Sequence, residues 1–331
     1  MPHRPSLDPA VADVRRAVRG ALARLAADAP LVVGLSGGAD SLALASAVAF
    51  ETRGADASAT AVVVDHGLQE TSAVVARGAA AAASSLGLAA RVVEVDVDAG
   101  GGLEASARDA RYRALRAVAR ETGAAAVLVG HTLDDQAETV LLGLARGSGA
   151  ASLQGMSPVS DLDGVALVRP LLALRRSTTR AACAAEGLEP WDDPHNDDPR
   201  FARVRTRNTV LPMLERELGP GVAEALARTA EQLREDAEAF DEMIEETIED
   251  IVEHAEAGIS VSVPALAANP AAVRHRIIRL VVSSEFGASL TRVQTLEVAR
   301  LVTDWSGQGP IDLPGCRARR VGARVEFTAA S

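Results

Sequence analysis

The chain has 331 residues, of which 48% are hydrophobic and 24% charged, the profile of a soluble globular protein large enough for two domains. Its formal net charge of −11 argues against broad non-specific nucleic-acid binding and leaves only local basic surfaces for such a role. All 34 basic residues are Arg, so no lysine of the protein can serve as nucleophile, Schiff base or phosphate clamp, and the two cysteines, Cys183 and Cys316, form neither a disulfide framework nor a zinc-spaced cluster.

Val11, Val14, Val18, Leu22 and Leu25 recur at three- and four-residue steps, which predicts an amphipathic helix over 8–27. The first turns of the chain carry no apolar signal core, and no run approaches the ~18 apolar residues of a membrane span, so a cytoplasmic protein is expected. Leu31, Val32, Val33 and Leu35 then read as a short buried parallel strand, followed by Ser36-Gly37-Gly38-Ala39-Asp40-Ser41 and an apolar helix. Strand, Gly- and hydroxyl-rich loop, and helix N-terminus together make a phosphate seat, because glycines admit the anion and unpaired helix N–H groups point at it. No GK[ST] follows, so this is not a Walker A loop. Asp40, an acid among phosphate donors, makes most sense as a Mg²⁺ ligand.

A second strand, ATAVVVDHGL (59–68), ends in Asp65-His66-Gly67 and precedes an Ala-rich helix (72–86). A third strand (90–97), a turn at Gly100–Gly102, the helix LEASARDARYRALRAVARETG, and a fourth strand, AAAVLVGHT (124–132), lead into the helix DDQAETVLLGLARG. This alternation predicts an α/β fold, an open parallel sheet with helices on both faces. Ligands of such sheets bind at the carboxyl ends of the strands. The polar clusters Ser36–Ser41, Asp65-His66 and His131–Asp135 all fall there.

Beyond residue 149 the pattern is less regular: ALVRPLL (166–172), an Arg-rich helix, the acidic loop EPWDDPHNDDPRF (189–201) and the basic stretch 202–215. Residues 222–257 read as helical and acidic, and the last stretch as helices through 273–282 and 290–304 with strands near 311–313, 317–321 and 324–327. The expected organisation is therefore 1–217, a helical linker 218–258, and a small α+β unit 259–331.

On the predicted helix after His131, Asp134 and Glu138 are one turn apart with Asp135 beside them, so three carboxylates share one side at a helix start. Ala137, Val140, Leu141 and Leu144 are expected to face the core, which leaves the acids at the rim. Basic side chains concentrate at Arg108, Arg111 and Arg113, and again at Arg200, Arg203, Arg205 and Arg207, with Trp191 and Phe201 flanking the second group. Arg suits bidentate phosphate contacts and stacking on a splayed base.

SGGADS resembles the signature of the PP-loop, or N-type ATP pyrophosphatase, superfamily, whose fold is adenine nucleotide alpha hydrolase-like. Together with DHGLQ (65–69), EASARDARY (104–112), GHTLDDQAET (130–139), RGSG (146–149), RPLL (169–172) and WDDPHNDDPRFARVR (191–205), the chain is similar to the tRNA(Ile)-lysidine synthase family. It departs from that family's usual pattern at His195-Asn196 and at Arg203–Arg207. The resemblance implies an ATP-dependent ligase that joins free L-lysine to C2 of the wobble cytidine of a CAU-anticodon tRNA(Ile), with adenylation of the base and release of pyrophosphate and then AMP. On that basis Ser36, Gly37, Gly38, Ala39, Asp40 and Ser41 hold ATP with Asp65 and His66 at the nucleotide pocket, and Asp40 takes Mg²⁺. Asp134 and Glu138 read the lysine amine, with Asp135 and His131 beside them as catalytic groups. Arg108, Arg111, Arg113, Arg203, Arg205 and Arg207 contact the RNA, and 259–331 is a tRNA-binding unit. The oligomeric state is left open, a homodimer included.

Two other readings compete. A PP-loop tRNA thiolase needs cysteines near the site, and Cys183 reads as helix interior while Cys316 lies in the last unit. A non-catalytic ATP- and RNA-binding module has no need of the intact acids.

Overall fold

Short apolar runs spaced by helices build a six-stranded sheet from β1 (Leu31–Gly34), β2 (Ala59–Asp65), β3 (Ala89–Glu94), β4 (Ala126–Leu128), β5 (Val159–Asp161) and β6 (Ala166–Val168). The order is β3-β2-β1-β4-β6-β5, parallel throughout except for β5 against β6. The computed structural model describes residues 7–26, 28–54, 58–67, 71–97, 103–147, 149–193, 197–255 and 258–330. Leu68-Gln69 of the DHGLQ stretch, the Gly100–Gly102 turn, Ser148 of RGSG, and His195-Asn196 lie outside the described residues. Within these limits the chain forms two compact units, Met1–Arg234 and Glu235–Ser331.

In the first unit, strand alternation decides which helix covers which face. Leu31, Val33, Ala61, Val63, Ala126 and Leu128 pack in one layer with α1 (Pro9–Leu22), α2 (Ala39–Glu51), α3 (Ser72–Ser85) and α7 (Arg176–Ala185). Val32, Val62, Val127 and Leu167 point the other way, onto Leu115, Val118 and Ala119 of α4 (Leu103–Thr122). Val11, Val14 and Val18 of α1 are buried, as their spacing predicts. With both faces covered, the central strands β1 and β4 can be apolar throughout.

The sheet runs outward from β1 in one direction to β2 and β3, and in the other to β4 and β6. Between β1 and β4 the order reverses, and at such a switch point the loops diverge and leave a crevice. The two loops that border it are SGGADS and GHTLDD. Gly130 is what lets them meet: a Cβ there would lie 2.8 Å from the Asp40 carbonyl oxygen. This explains why β4 ends at Leu128 rather than at residue 132, since Gly130 and Thr132 are spent on the loop and on the start of α5 (Leu133–Ala145). α6 (Ala150–Leu153) follows, and a continuous helical stretch is formed by α8 (Ala202–Arg205), a π-helical turn (Thr206–Val210) and α9 (Leu211–Leu218). Leu133 and Ala137 of α5 pack against Leu211 and Ala223, which seats α5 on this stretch and on the beginning of α10 (Val222–Ile251).

Two readings need correction. Leu144 is 59% exposed rather than on the core arc of α5. The acidic helix ends at Ile251, and Val252–Ala255 and Gly258–Ser262 form the strand pair β7 and β8. Here alternation wins over helical propensity, because Ile259 and Val261 are needed in the core of the second unit. That unit adds α11 (Val263–Ala268), α12 (Ala271–Phe286), α13 (Arg292–Thr303), β9 (Ile311–Leu313), β10 (Cys316–Val321) and β11 (Arg324–Ala329). Its antiparallel sheet, ordered β7-β8-β11-β10-β9, packs Phe327, Val325 and Ala318 onto Leu266, Ile277 and Leu301. Among the described residues no helix is long and apolar enough to cross a membrane.

Gly130→Ala is expected to destabilise the first unit by roughly 1–3 kcal/mol, the usual cost of overpacking against backbone. Gly78→Ala, in α3 with nothing within 4 Å of the added carbon, should be neutral or stabilising by about 0.5–1 kcal/mol. Urea unfolding of the two variants side by side checks the contrast.

Candidate active site

Gly37 sits at φ 86°, a conformation that favours glycine, and turns the chain from β1 into α2. Ser41 ties the loop together: its hydroxyl accepts from the Ser36 amide at 3.1 Å and donates to the Gly38 carbonyl at 3.0 Å, while Ser36 Oγ lies 3.1 Å away. Gly38 caps α2 with no side-chain hydrogen bond, so the first amides of a 13-residue helix have no capping side chain, in a loop where Ser36 is exposed and Gly38 and Asp40 are partly so. That end fits an anionic group, by charge and by donor geometry. The acidic loop docks on this seat through the Trp191 amide, which donates to the Gly37 carbonyl at 3.0 Å.

Beside the loop, four carboxylates face four guanidiniums. Arg176, the first residue of α7, stands at the centre, with its side chain 3.4 Å from Asp40, 2.9 Å from Asp135 and 3.3 Å from Glu138. Its backbone N–H donates to Asp134 at 2.7 Å, and Arg175 reaches the same carboxylate at 3.2 Å. From the other side come Arg203, 2.8 Å from Glu138, and Arg207, 2.7 Å from it. Glu138 is thus fully enclosed, with 0% exposure, rather than at the rim, and Asp134 alone of the three α5 acids is not buried. Asp135 also has a structural duty, accepting the Thr132 amide and hydroxyl at 2.8 Å each in a capping box.

Electrostatics follow from this packing. Burial pushes the Asp135 carboxyl up, but Arg176, Arg203 and the Thr132 amide outweigh it and bring it down to about 2. Burial raises Asp40, with Asp135 adding to that, against the lowering by Thr179 and Arg176. Arg176 is held above the ordinary guanidinium value, since Asp135, Glu138 and Asp40 more than offset its burial.

At the strand ends His66 and His131 carry buried ring nitrogens with no partner: both of His66 and Nδ1 of His131. Burial depresses His131 to about 3, helped by Arg169, Arg108 and Arg203 and opposed by Asp135. Burial likewise lowers His66, with Arg111 adding to it and Asp65 opposing. A neutral imidazole with an open nitrogen can donate to or accept from a base edge or a phosphate oxygen. Asp65 spends one oxygen on the Gly67 amide, 3.0 Å away.

The basic side chains divide. Arg203 and Arg207 turn inward to the acids, whereas Arg205 is exposed and bonds the Pro199 and Arg200 carbonyls at 2.6 and 2.8 Å. The π-helical turn holds Thr206 and Arg207 and lets Arg203 and Arg207 converge on one glutamate. Arg108 stacks over the Tyr112 ring at 5.2 Å, and Arg113 lines a cavity of about 280 Å³ with Val95, Asp96, Ala110 and Ala114. Arg175, which caps α7, and Arg176 and Thr179 within it stand in the sequence only as part of an Arg-rich helix without a partner. The local sign of their role is a pair of adjacent cations, Arg175-Arg176, two residues beyond RPLL.

Among the described residues no three His, Cys, Asp or Glu side chains converge as a metal cage. Asp40, with a side chain 24% exposed beside the bare helix end, fits a cation that takes most of its shell from substrate oxygens. Cys183, buried with its thiol on the Ala39 carbonyl, and Cys316 belong to different units.

Acid should destabilise the first unit in a window set by His131 and Asp135. The unfolded chain protonates His131 below about 6.5, while the folded site resists until about 3. The unfolded state then binds more protons, and stability falls with pH. Asp135 adds a further loss as pH drops from the ordinary carboxylate value toward about 2. His131→Asn is expected to show a shallower fall in urea midpoint between pH 7 and pH 4.5; parallel curves would remove His131 from this account.

The PP-loop domain family model matches residues 12–214, and a TilS substrate binding domain matches 262–325. The chain is 60% identical to a tRNA(Ile)-lysidine synthase of Leifsonia xyli subsp. xyli, over 92% of this chain and 91% of that protein. It is 50% identical to one of Rhodococcus erythropolis, over 96% and 94% of the two chains, and 51% identical to one of Streptomyces coelicolor, over 90% and 85%. Among solved structures, the U34-tRNA thiolase NcsA of Methanococcus maripaludis with its [4Fe-4S] cluster superposes with a TM-score of 0.58 at 21% identity. That match covers 68% of this chain and 79% of the thiolase.

Proposed function

This chain belongs to the tRNA(Ile)-lysidine synthase family of PP-loop ATP-dependent ligases, and from that premise we propose how its site divides the reaction. ATP seats at Ser36–Ser41, its phosphates on the bare end of α2, and His66 and Asp65 border the nucleotide. Asp40, together with the phosphates, would hold Mg²⁺, whose charge would offset that developing on the leaving pyrophosphate. The observation that carries the proposal is the contact of Arg176 with Asp40 on one side and with Asp135 and Glu138 on the other. One guanidinium joins the phosphate seat to an acidic site, so the two reactants that must meet are held within one side chain's reach.

The chemistry needs both halves. The C2 oxygen of cytosine is a poor leaving group, so it attacks the α-phosphorus of ATP and expels pyrophosphate. The ε-amine of free L-lysine then attacks C2, and AMP departs. That amine, with a pKa of ~10.4, is ~99.9% protonated at neutral pH. A carboxylate must bind the ammonium and take its proton. Asp134 and Glu138 serve the amine, with Asp135 and His131 adjacent. Since four guanidiniums already compensate the four acids, an incoming anion is what frees a carboxylate. A substrate phosphate that draws Arg203 or Arg207 outward exposes Glu138 to the ammonium. Arg108, Arg111, Arg113 and Arg205 meet the RNA backbone and the CAU anticodon loop, where a base leaves its stack at least cost.

The thiolase likeness is one of fold. With Cys183 buried against Ala39 and Cys316 in the other unit, the described residues offer no pair of thiols at the site.

ATP–pyrophosphate exchange by the purified protein, omitting tRNA and lysine in turn, tests the reading; exchange that ignores tRNA would overturn it. Glu138→Gln should raise the KM for lysine at least ~10-fold, the scale of a lost charge-assisted hydrogen bond, and change tRNA-dependent exchange much less. Equal loss of both would sink the assignment of Glu138 to lysine.

A further inference from the structure

α7 turns one face to the first turn of α2. Arg176, Thr179 and Cys183 follow at steps of three and four, so they lie in one row. Arg176 Nε approaches Asp40 Oδ2 at 3.4 Å, Thr179 Oγ1 hydrogen-bonds Asp40 Oδ1, and Cys183 Sγ donates to the Ala39 carbonyl at 3.3 Å. Glu186 clamps the far end of the helix, accepting from Ser46 of α2 at 2.5 Å and from Arg15 of α1 at 2.6 Å.

We propose that Thr179 is a positioning residue for Asp40: its hydroxyl holds Oδ1 so that Oδ2 alone is offered to the metal. A carboxylate on a helix surface rotates freely about its last torsion, which is broad and roughly two-fold. Thr179 removes that freedom. It is fully buried at 0% exposure, and its β-branched side chain has restricted χ1 freedom. Left to itself, such a hydroxyl bonds back into its own helix. The Arg176 carbonyl is in place for that at 2.8 Å, and Asp40 shares the contact. One-oxygen ligation suits a small octahedral cation that keeps water and phosphate oxygens in its remaining positions. The Arg176 contact on Oδ2 is longer, and its guanidinium already has Asp135 and Glu138. It is the contact a dication replaces, whereas Thr179 need not move.

The inference rests on the reading of Asp40 as the metal ligand, so the test separates the two. Mn²⁺ binding is followed by electron paramagnetic resonance on the full chain with α,β-methylene-ATP, for wild type, Thr179→Val, Thr179→Ala, Thr179→Ser and Asp40→Asn. Binding of the same nucleotide in EDTA is measured alongside. Val and Ala should weaken Mn²⁺ roughly tenfold, the scale of one hydrogen bond to a charged group. Ser should stay close to wild type, and metal-free nucleotide binding should be unchanged in all three. Wild-type Mn²⁺ affinity in both Val and Ala overturns the inference, as does a Ser variant as weak as Val, which would make the role one of packing. Unchanged affinity in Asp40→Asn overturns the metal reading of Asp40 itself.

Discussion

Charge compensation around Arg176 is the constraint on which the rest of the site depends. Asp40 comes from the first turn of α2 and Asp134, Asp135 and Glu138 from the N-terminal turns of α5, on either side of the switch point in the sheet, and bringing them together in a half-buried space would be strongly unfavourable unless cations accompanied them. Arg176 supplies the common partner, and Arg203 and Arg207 close the cluster from the helical stretch that follows the acidic loop. Removing one partner from such a cluster leaves a buried charge alone, which costs more than the pair contributes. Each acid of the cluster therefore has a guanidinium against it.

The fold explains how distant segments reach this point. β1 and β4 are neighbours and their following loops diverge, yet Gly130 lets the second loop press against the Asp40 carbonyl. α7 crosses back over α2, anchored through Glu186 and Cys183, and puts its first turn over the crevice. A carboxylate of α5 caps that turn, since the Arg176 amide donates to Asp134. Each acid of the cluster is thus held by a residue from a different element, so small displacements of one helix are resisted by the others.

Much of this was legible beforehand. The apolar runs within 31–35, 59–68 and 124–132 announce buried strands, because strands covered on both faces need no polar side. The helix of Val11, Val14 and Val18 shows in its period. SGGADS and GHTLDDQAET stand out because both pair a strand end with a helix start. The strand pair Val252–Ala255 and Gly258–Ser262 leaves no separate trace, because the acidic helical pattern reads on through 257 and the first strand is only four residues long. The enclosure of Glu138 leaves no trace either: helical spacing places it beside Asp134, but only the approach of Arg203 and Arg207 determines that it faces protein instead of water.

Local chemistry, then, was the sequence's share: the phosphate-binding loop, the acids at the start of α5, the run of Arg near 200–207, and the alternation that makes an open parallel sheet. These depend on neighbours within a few residues, and periodicity or spacing reports them. Tertiary structure decided partnership. Which Arg neutralises which acid, that Arg205 turns outward while Arg203 and Arg207 turn in, and that Thr179 meets Asp40 across 139 positions all come from the crossing of α7 over α2 and from a π-helical turn. Contacts of that separation leave no periodic trace, because their energy is paid in the packing of whole elements and not in the residues that make them.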